Sequence, residues 1–217
     1  MKPIAQWPNS RSRHIARSAH DDNAGLAPYL SKYNSAAMSK RSAVRTPPKK
    51  SRTSKPSRTP SPRASRPFAP GYGIVGAEDG KGLLPWSWVE KQMSTCRTFW
   101  VATLRPENRP HVMPVWGVWV EDVFYFSTGR KSRKGQNLAT NPACTVTNDN
   151  GEEAVIVEGT AEEVNAAALL ERVAGAYKKK YKMDPRSMKE PIFGVQPKTV
   201  FAFIEKSFPQ SATRWKL

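Results

Sequence analysis

Cysteine is scarce. The chain of 217 residues contains two, Cys96 and Cys144. They lie far apart in apolar runs, which excludes a disulfide framework, a cysteine zinc site and a C-x-x-C redox pair; it also suits a reducing cytoplasm. Of three histidines, His14 and His20 fall near the N-terminus and His111 far downstream, so they cannot form a metal cluster. No run of about 18 apolar residues is present, so no membrane-spanning helix is expected. The first residues lack an apolar core, which argues against a secretory signal. There is no repeat period, no Gly-rich dinucleotide fingerprint and no Ser–His–Asp pattern.

Acidic residues are also few: 18 Asp/Glu against 35 Lys/Arg, a net charge of +17. The excess is unevenly placed. Residues 1–70 carry 15 Lys/Arg and 2 Asp/Glu, whereas residues 71–217 carry 20 and 16. The first third therefore supplies about three-quarters of the excess. Residues 39–70 read SKRSAVRTPPKKSRTSKPSRTPSPRASRPFAP, with only Val44 and Phe68 as large apolar side chains. Such a segment cannot offset an ordering cost of roughly 1–2 kcal/mol per residue. Residues 1–70 are read as a disordered basic Pro/Ser-rich tail, with a marginal helix near 24–40, and residues 71–217 as the folded domain. The tail shares an Arg- and Ser-rich, acid-poor composition with organelle transit peptides, but its prolines do not fit that class. Met38 could equally open a shorter chain.

Past a Gly-rich arm at 71–82, residues 84–95 predict a helix with Leu84, Trp88 and Met93 on one face and Pro85 in its first turn. The period then becomes that of strands. Segments 98–104 (TFWVATL), 111–120 (HVMPVWGVWV), 123–128 (VFYFST), 143–147, 154–164 and 198–205 (KTVFAFIE) predict six strands. A further short one is possible at 213–217. Polar turns at 105–110, 121–122 and 148–151 (NDNG) make the strands antiparallel. Gly159 marks a bulge where a barrel could bend. Ser132 caps a short helix to 140, and Asn165 caps a longer one over 166–182 with Leu169, Leu170, Val173 and Tyr177 facing inward. The fold class is mainly β: a six-stranded antiparallel barrel with α-helical cover.

The most informative segment is 123–142, VFYFSTGRKSRKGQNLATNP. Ser127 and Thr128 end a strand, and Arg130, Lys131, Arg133 and Lys134 crowd the loop and first helical turn. Cations there oppose the positive end of the helix dipole, so they do not stabilise the helix. An anion held between them explains the arrangement. On composition alone, a solvated basic loop explains it equally well.

This segment resembles the phosphate-gripping element of the pyridoxamine 5′-phosphate oxidase-like, FMN-binding split barrels, where a hydroxyl-ended strand leads to Ser-Arg-Lys and a helix closing on Asn-Pro. The similarity continues in TFWVATLRPENRPHVMPVWGVW, AVIVEGTAEEV and the closing SATRWKL, covering about residues 66–217. It implies a flavin cofactor, FMN, or a deazaflavin of the F-420 type whose longer anionic tail would also suit Arg130 and Lys131. By position it implies that Ser132, Arg133 and Lys134 hold the flavin phosphate, with Ser127 and Thr128 adding contacts. Met113, Pro114, Val115 and Trp116 would lie along the isoalloxazine ring. It further implies a homodimer, with Arg214 and Trp215 reaching a partner's cofactor. Trp116 and Trp119 read, on area alone, as core or interface aromatics. Glu107-Asn108 stands where the family often has Asp-Gly. Ala154 stands where true oxidases often carry a polar ring contact, and their longer C-terminus is not found here. These departures argue against oxidation of pyridoxamine phosphate itself.

The functional expectation is a flavin-dependent, cytoplasmic oxidoreductase of unknown substrate. No catalytic acid or base is assigned, and His111 lacks an evident orienting partner. The rivals are a deazaflavin-dependent reductase, a non-catalytic flavin- or haem-binding protein on the same barrel, and non-specific nucleic-acid binding through the tail.

Overall fold

The computed structural model describes residues 61–74 and 80–217. The disorder and the marginal helix expected within residues 1–60 lie outside the described residues. Along the chain come β1 (Ala64–Ser65), α1 (Trp86–Thr95), β2 (Phe99–Leu104), β3 (Pro110–Val115), β4 (Gly117–Val120), β5 (Val123–Ser127) and α2 (Arg133–Thr140). They are followed by β6 (Ala143–Asn148), β7 (Glu153–Glu163), α3 (Ala167–Tyr181), β8 (Ile192–Ile204) and β9 (Thr213–Lys216). The strands join in the order β1-β9-β8-β7-β6-β2-β3, all antiparallel, and β5 pairs with both β4 and β8. This is the mainly β split barrel expected from the sequence.

Among the described residues, nine strands stand where six were expected. The run 111–120 divides at Trp116, because β3 pairs with β2 whereas β4 turns away to pair with β5. The 213–217 strand is present, and Ala64–Ser65 pairs with it. Ala64–Ser65 lies within the stretch read as tail. Arg66 is buried and donates to the carbonyls of Lys81, Pro209, Gln210 and Ala212, fastening this segment to the barrel. Ile74, in the arm expected on the surface, is buried as well.

Alternation sets the core. In β2, Phe99, Val101 and Thr103 point inward, while Trp100, Ala102 and Leu104 face out. Phe99 meets Phe124 at 4.7 Å between ring centroids, and Trp86 of α1 meets Trp215 at 5.5 Å. Each such ring contributes on the order of 1.5–3 kcal/mol by leaving water. A second apolar cluster joins Val173, Tyr177 and Tyr181 of α3 to Val118 and Tyr125. Tyr125 thus faces α3 while Phe124 and Phe126 face the main core, which accounts for the run of buried aromatics in β5.

The bulge expected at Gly159 is present: the β7/β8 register shifts between Glu158 and Gly159. A Cβ on Gly159 would collide with the Gln196 carbonyl oxygen. The caps differ from expectation at two helices. α1 starts after Pro85, so Trp86, Val89 and Met93 form its buried face and Trp88 is only half-buried. α3 is preceded by Ala166 with no side-chain cap, because the Asn165 amide donates to the Glu163 carbonyl instead. Leu169 and Leu170 are partly buried, and Ala174 and Tyr181 join Val173 and Tyr177 inside.

β3 ends the sheet path and is bonded on one side only, to β2. Pro110 and Pro114 lie within it and carry no N–H.

Candidate functional site: a basic cluster beside an open strand edge

β5 delivers the chain to the loop before α2. Ser132 is the N-cap in extended conformation, and its hydroxyl accepts from the Gly135 N–H at 3.1 Å. Thr128 and Ser132 hydroxyls lie 3.0 Å apart, while the Ser127 hydroxyl donates to the Pro191 carbonyl at 3.1 Å. Ser127, Thr128 and Ser132 thus shape the turn. The first-turn amides of Arg133 and Lys134 have no acceptor within the helix, as at any helix start. Gly135 is where α2 comes closest to the loop: a Cβ there would collide with the Gly129 carbonyl oxygen.

The first turn of α2 contains no acidic residue. Arg133 is exposed, whereas Lys134 is only 8 % exposed and has no hydrogen-bond or ion-pair partner among the described residues. Burial holds its ammonium below the usual lysine range. One turn later, Asn137 is fully buried and its amide donates to Thr103 Oγ1 at 2.9 Å. Thr103 pairs with His111 across the β2/β3 ladder. The contact sets the basic turn of α2 against the turn end of that hairpin, where Arg105 and His111 stand.

Three buried polar atoms here lack any partner: Arg105 Nε, His111 Nδ1 and Asn137 Oδ1. His111 is held below its usual range by burial and then by the charges of Arg105, Lys134 and Arg133. Four basic groups therefore converge with no carboxylate acting on the imidazole. Buried donors of this kind are normally satisfied. A bound anion would satisfy Arg105, His111 and Lys134 together, and so the residues present fit a phosphate-bearing group. Of the four cations in this segment, Arg130, Lys131 and Arg133 are exposed and Lys134 is buried.

The ring-side residues lie on the next stretch of β3 but do not share one face. Met113 pairs with Val101 and Val115 with Phe99, on the face that also carries His111. Pro114 pairs with Trp100 on the outer face. Met113 is 43 % exposed. Trp116, at the break after β3, is 38 % exposed, stacks on Tyr181 at 5.0 Å and lies under Arg97 at 5.1 Å. Its carbonyl accepts from the Tyr177 hydroxyl at 2.8 Å. The free backbone edge of β3 lies alongside.

Two expectations are corrected. Trp215 is fully buried against Trp86, so its indole packs the core and cannot reach a partner's cofactor. Arg214 donates to Ser65 Oγ at 3.3 Å and helps hold β1 to β9. Arg130 forms an ion pair with Glu163, which leaves Lys131 as the exposed cation of that loop with no partner among the described residues. Trp119 is partly buried against the core, as its size suggests. Arg105 and Asn137, which the sequence reading does not single out, stand beside this cluster, as does His111, which that reading weighs only as a catalytic base. The signal was available: a hairpin turn over 105–110 necessarily brings Arg105 and His111 together.

The antiparallel sheet, its register and its helical cover define a split barrel. The pattern of the family described as pyridoxamine 5′-phosphate oxidase matches residues 89–203, more than half of the chain, and the protein belongs to that family. Among solved structures, the conserved hypothetical protein Rv2991 from Mycobacterium tuberculosis is similar in fold. It is 20 % identical with a TM-score of 0.53, over 58 % of this chain and 89 % of its own. ChuZ from Campylobacter jejuni is 12 % identical with a TM-score of 0.53, over 60 % of this chain and 58 % of its own. A structure named as an F-420 reductase is 24 % identical with a TM-score of 0.42, over 51 % of this chain and 94 % of its own. No curated protein matches the chain.

Proposed function

We propose that this protein is an FMN-dependent oxidoreductase whose basic cluster holds the flavin phosphate and whose β3 edge receives the ring. The observation that carries the reading is Lys134, buried without a counter-charge at a capped helix start and beside the orphaned donors of Arg105 and His111. A phosphate monoester carries about −1.5 to −2 charge near pH 7 and three acceptor oxygens, which matches that demand. Arg133 would give planar contacts from the exposed side and Lys134 a point charge from below. The ring would lie along Met113, Pro114, Val115 and Trp116, with backbone groups of the β3 edge meeting its polar rim. When bound, the flavin supplies hydride and electron transfer. The chain's part is to grip the phosphate, orient the ring and exclude water from one side of it.

Arg130 is already matched by Glu163, which favours the compact FMN over the longer tail of F-420. The same barrel serving as a non-catalytic flavin or haem carrier is the remaining reading. The protein is further proposed to act as a homodimer in the cytoplasm. Its outward sheet face exposes Trp100 and Val112, and a shallow depression of about 490 Å³ is lined by Ala102, Leu104 and Pro110 together with polar residues that include Glu158 and Lys198. Among the described residues, no helix is long and apolar enough to cross a membrane.

The test is FMN titration of the purified protein and of the Arg133→Gln/Lys134→Gln double variant, followed by flavin fluorescence, with mass identification of any co-purified cofactor. Loss of FMN binding in the variant is expected. Undiminished binding refutes the site. Binding without turnover, with nicotinamide or deazaflavin donors, selects the carrier reading.

A further inference from the structure

We propose that His111 couples anion binding to proton uptake: its imidazole, neutral when no anion is present, gains a proton as a dianion enters and donates to it from Nδ1. The inference rests on the phosphate-site reading above and adds what that reading leaves open, the charge state the site selects.

The geometry comes first. Nδ1 of His111 is buried and has no partner, as is Nε of Arg105 on the other arm of the same hairpin. The Thr103 hydroxyl links the two arms, donating to the His111 carbonyl at 3.4 Å and accepting from Asn137. The imidazole is thereby seated beside the first turn of α2. The charged groups that act on it are Arg105 from the end of β2, and Lys134 and Arg133 from α2. All are cations. The groups hydrogen-bonded at this point of the hairpin, Thr103 and Asn137, are neutral.

The electrostatics follow. Three cations around a half-buried imidazole oppose a fourth charge, so the neutral ring is the resting form. A dianion placed among them offsets two of the three charges and, as an acceptor beside the ring, draws a proton from solvent onto Nδ1. No bond is made or broken other than that N–H. A monoanionic phosphodiester would leave three of the four positive charges uncompensated, whereas a phosphomonoester or sulfate balances half of them. The ligand class the cluster selects is therefore a dianion, such as the terminal phosphate of FMN. Its affinity should rise as pH falls from the neutral range into the range where His111 in the bound state is charged.

Sulfate is the probe, because it stays dianionic over the whole range and its own titration cannot mimic the effect. Full-length protein freed of cofactor is titrated with sodium sulfate against a chloride background at constant ionic strength, between roughly pH 8 and pH 5.5. The histidine ring resonances are followed by NMR. With three histidines in the chain, the His111 signal is the one missing from His111→Gln. We expect the His111 titration midpoint to move upward on adding sulfate. Sulfate affinity should also tighten by roughly five- to tenfold across that range, and His111→Gln, which keeps a donor, should lack the dependence. Saturable sulfate binding with an unmoved His111 midpoint overturns the proton coupling and leaves the phosphate site standing. Sulfate binding that is not saturable, or that survives Arg133→Gln/Lys134→Gln, overturns the phosphate-site reading itself.

Discussion

Lys134→Met separates what this residue does for the fold from what it does for the ligand. The lysine is 8 % exposed and unpaired among the described residues, but its Nζ is not one of the fully enclosed unpartnered atoms, so in the ligand-free protein it bears only part of the cost of an unpaired buried charge. Burying a polar group without a partner costs about 1–3 kcal/mol. Methionine has nearly the same length and no charge, and should recover that part. A domain of this size shifts its melting temperature by about 2–4 °C per kcal/mol, so a rise of about 2–8 °C is expected by differential scanning fluorimetry without cofactor. The same change removes a charged hydrogen bond to phosphate, worth roughly 1.5–3 kcal/mol, so FMN affinity should fall by about ten- to a hundredfold. The pH dependence has a definite sign. A lysine held below its ordinary range binds its proton more weakly in the folded state than in the unfolded state. The apo protein should therefore gain stability as pH rises from that lowered range towards the ordinary lysine value of 10.5, and Lys134→Met should not. A lowered melting temperature together with intact FMN binding would refute the reasoning, since Lys134 would then be a structural residue with a partner.

Gly135→Ala should push α2 away from the Gly129 carbonyl and weaken FMN binding at least tenfold while far-UV circular dichroism changes little. Lys180 donates to the Gly117 carbonyl at 3.0 Å, and burial lowers it to about 8. Stability should rise from about pH 8 towards 10.5, because the unfolded chain holds this proton more tightly, and Lys180→Met should flatten that rise in denaturant midpoints. Glu121 sits at φ 52°, in the turn between β4 and β5. Glu121→Gly should relieve about 1 kcal/mol of left-handed strain, exceeding the exposed ion pair with Arg172 that it loses, and raise the melting temperature by a few degrees. Arg66→Met leaves four carbonyls without their donor and should destabilise the domain by about 3 kcal/mol or more in urea unfolding.

Local chemistry made much of the barrel legible. Ser132, the 121–122 turn, the NDNG hairpin and Gly159 each act through neighbours close in sequence, and each stands as read. What escaped depended on distant partners. The first residues of β8 were passed over because Pro197 interrupts the run. Yet Pro197 lies opposite Gly159 at the register shift, where the ladder is already broken and a missing N–H is tolerated. Ala64–Ser65 is polar and two residues long, and only its pairing with Arg214 and Trp215 makes it a strand. Trp215 looked available to a partner subunit because nothing in SATRWKL reveals that Trp86 waits behind it. At the site, the Ser-Arg-Lys run was readable as an anion element. The burial of Lys134 was not, because it depends on α2 lying against the β2/β3 hairpin.

The two prolines of β3 bear on how molecules of this protein meet one another. A strand bonded on one side is a template for further chains, and a row of free N–H groups is what recruits them. Pro110 and Pro114 remove two of those groups from the rim while leaving every carbonyl in place. The rim can still accept hydrogen bonds from a small polar guest, but it offers an incomplete ladder to an incoming strand. Exchanging Pro114 for valine would restore one rung, and the expected outcome is turbidity and thioflavin-positive fibres at concentrations where the parent protein stays clear.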